Sequence, residues 1–288
     1  AAKEYLKVYG VLVGRNPLIF TNNDSGYETA IEFKKNGIWP VILDTRNNPN
    51  SEIVDEAKQM GIDIKFSHVV VAAKGYKKVK SAEIAKISED KKELGPIKNI
   101  NCDCICVSGF WTPTIHLTSQ SGNKTRFNEE IDAFVPGKSK QEETTVGSAN
   151  GIFTLEETLK TSFAAGHELS KKITNNDNKL SVPQVVEKKY THHDKFWCVP
   201  LPKGKKYKRF LDFQNDVVVT DIELALREGY RSIEHVKRYT TLGMATDQGK
   251  TSNLNGLQLV SNIENKIVPE VGHTTFRPPY TPVTIGAI

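Results

Sequence analysis

The sequence predicts an α/β protein in which a first half built on a βαβ unit is followed by a smaller, mainly helical module. Three observations carry this. Residues 17–44 run from an apolar strand through a helix-periodic segment to a second apolar strand. Residues 143–173 hold a glycine-rich turn that feeds a helix-forming stretch. Residues 219–243 hold two short helix patterns with start and stop signals. At 288 residues the chain is long enough for two domains with a sizeable core.

In chain order, PLIF is a short apolar strand, and YETAIEFKKNG carries apolar residues at helical spacing and stops at Gly37, as helices do. WPVILDT is the next strand. The loop between the first strand and the helix is TNNDSG (21–26), poor in the glycines that let backbone N–H groups approach a pyrophosphate. Asp24 would cap the helix and repel a phosphate. Asp44 ends the second strand, where a ribose-binding acid would lie. SEIVDEAKQMG (51–61) is a second helix, and residues 62–87 alternate in strands around a turn at Gly75. Residues 88–99 form a charged loop, and INCDCICVSG is one strand with Cys102, Cys104 and Cys106 at alternate positions on one face. A further strand is expected to end at Gly147-Ser148-Ala149-Asn150-Gly151, with a helix starting near Thr154. Thr154 and Glu157 match a capping box. Such a turn ahead of a helix N-terminus suits an anion or a cofactor, or is simply a tight turn.

Residues 174–210 are polar and lysine-rich, with His192-His193-Asp194 and the run KGKKYKR (203–209), both read as solvated surface. VTDIELALREG (219–229) is a helix with Thr220 and Glu223 as its capping box and Gly229 as its stop. SIEHVKRYTTLG (232–243) is the next helix, with Ser232 as its cap. Lys237, Arg238, Thr240, Thr241 and Lys250 gather donors and positive charge there. They would hold a phosphate or carboxylate, or else satisfy helix C-terminal carbonyls. The tail TTFRPPYTPVTIGAI reads as an extended arm, because its three prolines cannot continue a helix.

The formal charge of +5 is spread over scattered lysines, so a nucleic-acid partner is not expected. No apolar run has the length of a membrane span. The four cysteines read as reduced core thiols with no metal, which fits a reducing cytoplasm.

DFQNDV (212–217) and GMATDQGKTS (243–252) resemble the two-iron ferredoxin-like modules of flavin-linked amine and opine oxidases. In that pattern Asp212, Gln214, Asp247 and Ser252 stand where the cysteines would be. A two-iron cluster is held by thiolates, exceptionally by histidines, so an intact scaffold without a cluster is expected. The first half is similar to a partial disulfide-reductase-like nucleotide-binding fold, with a Rossmann-like insert at about 10–87 and a closing loop at 143–173.

Taken together, CVSGFWTPTIHLTSQSGNKTRFNEEIDAFVPG, VGSANG, DFQNDV, REGYRSIEHVKRYTTLGMATDQGKTSN and FRPPYTPVTIGAI resemble the alpha-subunit family of heterotetrameric sarcosine oxidases. The resemblance implies domains at 1–173 and 211–260, a connecting segment at 174–210 and an arm at 261–288. It implies that a first nucleotide unit precedes Ala1 and that a folate-binding domain follows Ile288. It implies an oxidative demethylation of sarcosine whose chemistry lies on another chain, so no catalytic residue is expected here. NAD is implied at Gly147, Ser148, Ala149, Asn150, Gly151 and Leu155. FMN is implied at the interface with a beta subunit, near Lys237, Arg238, Thr240, Thr241 and Lys250. FAD is implied on the beta subunit, with small gamma and delta subunits completing the assembly. The competing readings are an alpha-like subunit of an opine or imino-acid dehydrogenase, and a cofactor-free module that holds a flavoprotein partner.

Overall fold

A computed structural model describes residues 1–174, 181–186, 194–278 and 280–287. The chain forms two compact units, Ala1–Trp111 with Lys188–Tyr207, and Thr112–Glu187 with Lys208–Ile288. The boundary after Trp111 groups the closing loop with the helical module, whereas the sequence reading joins it to the first half.

The first unit opens with helix α1 (Ala2–Tyr9), followed by β1 (Pro17–Thr21), α2 (Ser25–Lys35), β2 (Val41–Asp44), α3 (Glu52–Gln59) and β3 (Asp63–Phe66). Strands β4 (His68–Gly75), β5 (Val79–Lys86), β6 (Lys98–Asn101) and β7 (Cys104–Ser108) come next. A parallel sheet of order β3-β2-β1-β7 carries the βαβ unit, and β4-β5-β6 form an antiparallel sheet. Adjacent residues on one strand point to opposite faces, and both faces of β1 and β2 are buried. Ile19 and Ile42 pack with Tyr27, Phe33 and Val54 of α2 and α3. Leu18 and Leu43 pack with Ala82 and Ile84 of β5. This explains why PLIF and VILD read as unbroken apolar runs. Helix α2 stops as expected, with Gly37 at φ 76° and its N–H donated to the Lys34 carbonyl.

The stretch read as one strand over INCDCICVSG is two. Here the chain leaves the antiparallel sheet at Asn101 and enters the parallel one at Cys104. The crossing is pinned by Asp103, whose carboxylate accepts the N–H groups of Arg15 and Asn16 at 2.8 Å each. Cys102 therefore lies in the core between β1, β2 and β5, while Cys106 packs toward α2 and α3, so the three thiols do not share a face. Cys104 and Cys106 do, with sulfurs 3.8 Å apart.

The second unit begins with α4 (His116–Gln120) and the hairpin β8 (Thr125–Asn128) and β9 (Ala133–Pro136). The strand expected before Gly147 is absent: residues 143–146 are unpaired and lead into a 3-10 turn, Gly147–Asn150. Helix α5 (Leu155–Thr174) follows, and none of its residues is buried. The module comprises β10 (Phe210–Asp212), β11 (Val217–Val218), α6 (Val219–Arg227), α7 (Ile233–Thr240), α8 (Asn253–Glu264) and α9 (Val268–Val271). Helix α6 starts ahead of the predicted Thr220 cap, because Val219 and Ile222 both belong in the core. Asp221 takes over the capping and accepts the Val218 N–H at 2.8 Å. Helix α7 begins after Ser232 as predicted, but the serine side chain makes no capping bond. Extended chain begins only after α9, later than residue 261, since α8 runs to Glu264. Among the described residues no helix is long and apolar enough to cross a membrane.

Candidate functional site

Asp212, Gln214, Asp247 and Ser252, the positions matched to cluster cysteines in the sequence reading, lie on two loops that meet. Asp212 ends β10 with its carboxylate almost wholly buried. Its Oδ2 accepts the N–H of Gly243 at 2.8 Å and the hydroxyl of Ser252 at 3.5 Å, and its Oδ1 accepts the Gln214 N–H at 2.9 Å. Gln214 Oε1 in turn accepts from Thr246, beside Asp247, which accepts from Thr251 and from the Gly249 N–H. One carboxylate thus ties the 212–214 loop to the 243–252 loop through hydrogen bonds to buried donors, which are costly to leave unpaired. Gly243 and Gly249 both have φ near 70° (65° and 73°), and Asn253 packs where a Cβ on either would stand. No group of three or more histidine, cysteine or acidic side chains suited to a metal ion exists among the described residues.

The basic residues around this module differ in what they are free to do. Arg238 is engaged by the Glu234 carboxylate at 3.1 Å and the Glu234 carbonyl at 2.9 Å. Thr240 donates to the Val236 carbonyl and Thr241 to the Thr240 carbonyl, closing the C-terminal end of α7. Lys250 donates to the Tyr280 carbonyl at 3.0 Å and lies over the Tyr280 ring. Lys237 is half-buried and has no salt bridge among the described residues. Burial pushes its ammonium below the ordinary lysine range, with Arg238 and Arg277 adding repulsion against the pull of Glu234. A desolvated cation in that state favours an incoming anion.

Lys250 also borders an open cleft that the sequence did not announce. Its walls include Phe134, Leu257, Phe276 and His116. His116 is only 3% exposed, and neither ring nitrogen makes a hydrogen bond of ordinary geometry. Burial, then the positive charge of Lys250, lowers its pKa to about 4, although the nearby Gln248 backbone and Asp247 favour the protonated ring. The sole signal in the sequence is a histidine inside the apolar run TPTIHL, a pattern more often found in a satisfied core.

The glycine turn packs tightly. Gly147 has φ 64° and Gly151 φ 82°, values that favour glycine. A Cβ on Gly151 would also stand 2.7 Å from the tip of Ile131. Ser148 is exposed, Ala149 and Asn150 are half-buried, and Leu155 is 51% exposed on the first turn of α5. Glu157 N–H donates to Thr154 Oγ1 at 3.4 Å, one half of the predicted capping box.

In the first unit, the loop that a dinucleotide would approach is filled by the chain itself. Asp24 does not cap α2; its carboxylate pairs with Arg46 at 2.8 Å. Asp44 also turns inward, holding Arg46 at 2.8 Å and accepting the Tyr27 hydroxyl at 2.7 Å. Asp194 belongs to the same loop cluster: its N–H donates to the Asn22 carbonyl at 2.9 Å, its carboxylate accepts from Thr45 at 3.0 Å, and it pairs with Lys91. Asp194 is therefore no free surface residue, while His192 and His193 fall outside the described residues.

A parallel sheet covered by helices on one face and by an antiparallel sheet on the other, with a helical module in the second unit, is the α/β arrangement the sequence predicts. The L-proline dehydrogenase of P. horikoshii has the same fold along the entire chain, with a TM-score of 0.62 at 18% identity, over 52% of that protein. Residues 206–288 match the family model of the sarcosine oxidase A3 domain. The whole chain is 36% identical over 301 residues to the sarcosine oxidase alpha subunit of Rhizobium meliloti (strain 1021), covering 28% of it. It is 31% identical over 297 residues to that of Corynebacterium sp. (strain P-1), covering 30%. The chain is thus a homologue, end to end, of part of the sarcosine oxidase alpha subunits, and it spans less than a third of their length.

Proposed function

We propose that this chain serves within the alpha subunit of a flavin-dependent sarcosine oxidase, which demethylates sarcosine to glycine, forms hydrogen peroxide and passes the one-carbon unit to tetrahydrofolate. The end-to-end similarity to sarcosine oxidase alpha subunits carries the reading. In it the domains lie at 1–173 and 211–260, with the connecting segment 174–210 and the arm 261–288. The chain supplies no acid, base or nucleophile; it holds cofactors and meets a flavoprotein beta subunit, with gamma and delta subunits beyond. FMN, bound between alpha and beta, would supply electron transfer from the FAD of the beta subunit.

Lys237 is the residue best suited to an FMN phosphate, being a partly desolvated ammonium with no salt bridge among the described residues. Arg238, Thr240, Thr241 and Lys250 would keep its surroundings positive and polar. The tight turn Gly147–Gly151 with Leu155 would face NAD. An iron–sulfur cluster has no place in this reading, because Asp212, Gln214, Asp247 and Ser252 offer neither thiolate nor imidazole.

The test is native mass spectrometry of the chain co-expressed with a flavoprotein subunit. The expected product is a yellow complex that releases FMN and NAD on denaturation, and Lys237→Met should lower FMN occupancy about tenfold. A colourless monomer that releases no nucleotide, or a brown preparation containing iron, would overturn the proposal.

A further inference from the structure

The first unit carries a thiol pair for which neither the sheet it sits on nor the proposed function has a use. Cys104 and Cys106 are two residues apart on β7, so their side chains leave the same face of the sheet. Their sulfurs stand 3.8 Å apart, and both thiols are free. β7 is the end strand of the parallel sheet, and both cysteines are half-buried rather than sealed in the core. Their frame is fixed. Gly14 passes so close that a Cβ on it would stand 2.6 Å from the Cβ of Cys104. Asp103 holds that passing segment in place through the N–H groups of Arg15 and Asn16, at 2.8 Å each.

Two thiols at this spacing could join or could share an ion. Joining them requires the sulfurs to close to about 2.05 Å, with Cα atoms usually about 5.5–6 Å apart. Residues two apart on a strand stand about 6.6 Å apart, so a disulfide here would be strained. Burial, and then the neighbouring Cys104, also pushes the Cys106 thiol up to about 12, which leaves little thiolate for disulfide exchange. Sharing an ion meets neither obstacle. Two metal–thiolate bonds of about 2.3 Å place their sulfurs up to about 4.6 Å apart when collinear and closer when bent. The observed 3.8 Å falls inside that span. A bound cation also removes the thiol proton outright and neutralises the charge that burial opposes.

The donor set selects the ion. Structural zinc and iron–sulfur iron take about four ligands, and among the described residues no group of three or more histidine, cysteine or acidic side chains is suited to a metal. Calcium and magnesium take oxygen ligands. Soft thiolates select copper(I), a closed-shell ion satisfied by two of them. We propose that Cys104 and Cys106 together bind one copper(I) ion at the edge strand of the parallel sheet. Two S–H bonds break and two S–Cu bonds form. Both protons pass to solvent and copper stays in the +1 state, so no electron is transferred.

The complete 288-residue chain, reduced and kept under argon, is offered copper(I) as its bathocuproine disulfonate complex. The fall in the visible absorbance of that complex reports transfer to the protein. One copper should move per chain, and X-ray absorption should show two sulfur neighbours. Cys104→Ser and Cys106→Ser should each weaken capture by about a hundredfold or more, beyond what the loss of an outer-sphere contact costs. Cys102→Ser and Cys198→Ser, compared at the same folded fraction, should leave it unchanged. From about pH 6 to about pH 8 the apparent affinity should rise by about two decades per pH unit, since each ion displaces two protons. Zinc(II) at the same concentration should not compete. An absence of transfer would overturn the proposal. So would capture that survives the double variant Cys104→Ser with Cys106→Ser, a third sulfur around the copper, zinc competing on equal terms, or recovery of the reduced chain with Cys104 and Cys106 already joined as a disulfide.

Discussion

Arg46 is the centre of a buried charge network, and removing it gives the sharpest test of the first unit. The guanidinium is 9% exposed, between Asp24 at 1% and Asp44 at 0%. Its Nη1 meets Asp24 at 2.8 Å, while Nη2 and Nε reach the two oxygens of Asp44 at 2.8 and 3.0 Å. Coulomb's law at an effective dielectric of about 20 gives about 6 kcal/mol for each such contact, most of it offset by the cost of desolvating the ions. Removing one partner is different, because the desolvation of the others then stands uncompensated, at about 3–5 kcal/mol. Arg46→Met keeps the bulk and strands two carboxylates. Urea unfolding should show a loss of about 4 kcal/mol at pH 7, with the melting temperature down by roughly 10–15 °C. The stranded carboxylates should have folded-state pKa values above their ordinary range near 4. The folded variant then binds more protons than its unfolded chain, so its deficit against the native protein should shrink as the pH falls from 7 toward 4.5. Adding Asp24→Asn and Asp44→Asn should recover much of the loss. A loss below about 1 kcal/mol, or a deficit that does not change with pH, would refute this account.

Three further outcomes are expected. Asp212→Ala deprives the buried Gly243 N–H of its acceptor and should cost about 2–3 kcal/mol in chemical denaturation, whereas Asp212→Asn should cost less than half of that. His116 is held near 4 in the folded state, against about 6.5 in an unfolded chain. The unfolded state therefore takes up the proton first, and stability should fall as pH drops from about 6.5 to about 4, by up to about 3 kcal/mol. Comparing that slope with His116→Phe, which should lack it, isolates the contribution. Finally, the fourfold variant Asp212→Cys, Gln214→Cys, Asp247→Cys and Ser252→Cys should take up iron and sulfide on reconstitution, with visible absorption that the native chain does not develop. If the variant folds yet binds no iron, the four positions do not form a cluster scaffold.

What the sequence revealed and what it hid divide along contact range. PLIF and VILD were legible as strands because each is buried on both faces, and α2 was legible because Gly37 stops it within the same stretch. The crossing at Cys102 was not, because its cause is Asp103 bonding to Arg15 and Asn16, almost ninety residues earlier. The inward turn of Asp24 and Asp44 onto Arg46 was not legible either. Each is a sensible capping or ribose-binding acid by position, but the partner that redirects both, Arg46, follows Asp44 by only two residues and carries no periodic signal. His116 was invisible because its surroundings come from α8 and the segment after α9, far along the chain.

In the module, one buried carboxylate holds two loops together. A cluster would tie two loops through four sulfur–iron bonds; here Asp212 ties the same loops through Gly243 and Ser252. The substitution works because the carboxylate is almost wholly buried and meets backbone and hydroxyl donors, a charge-assisted geometry stronger than neutral hydrogen bonding. Asn253 then fills the space beside Gly243 and Gly249, so side chains larger than hydrogen at those glycines are excluded by packing rather than by a cofactor. The two loops are left fixed in place beside Lys237 and the cleft that His116 borders.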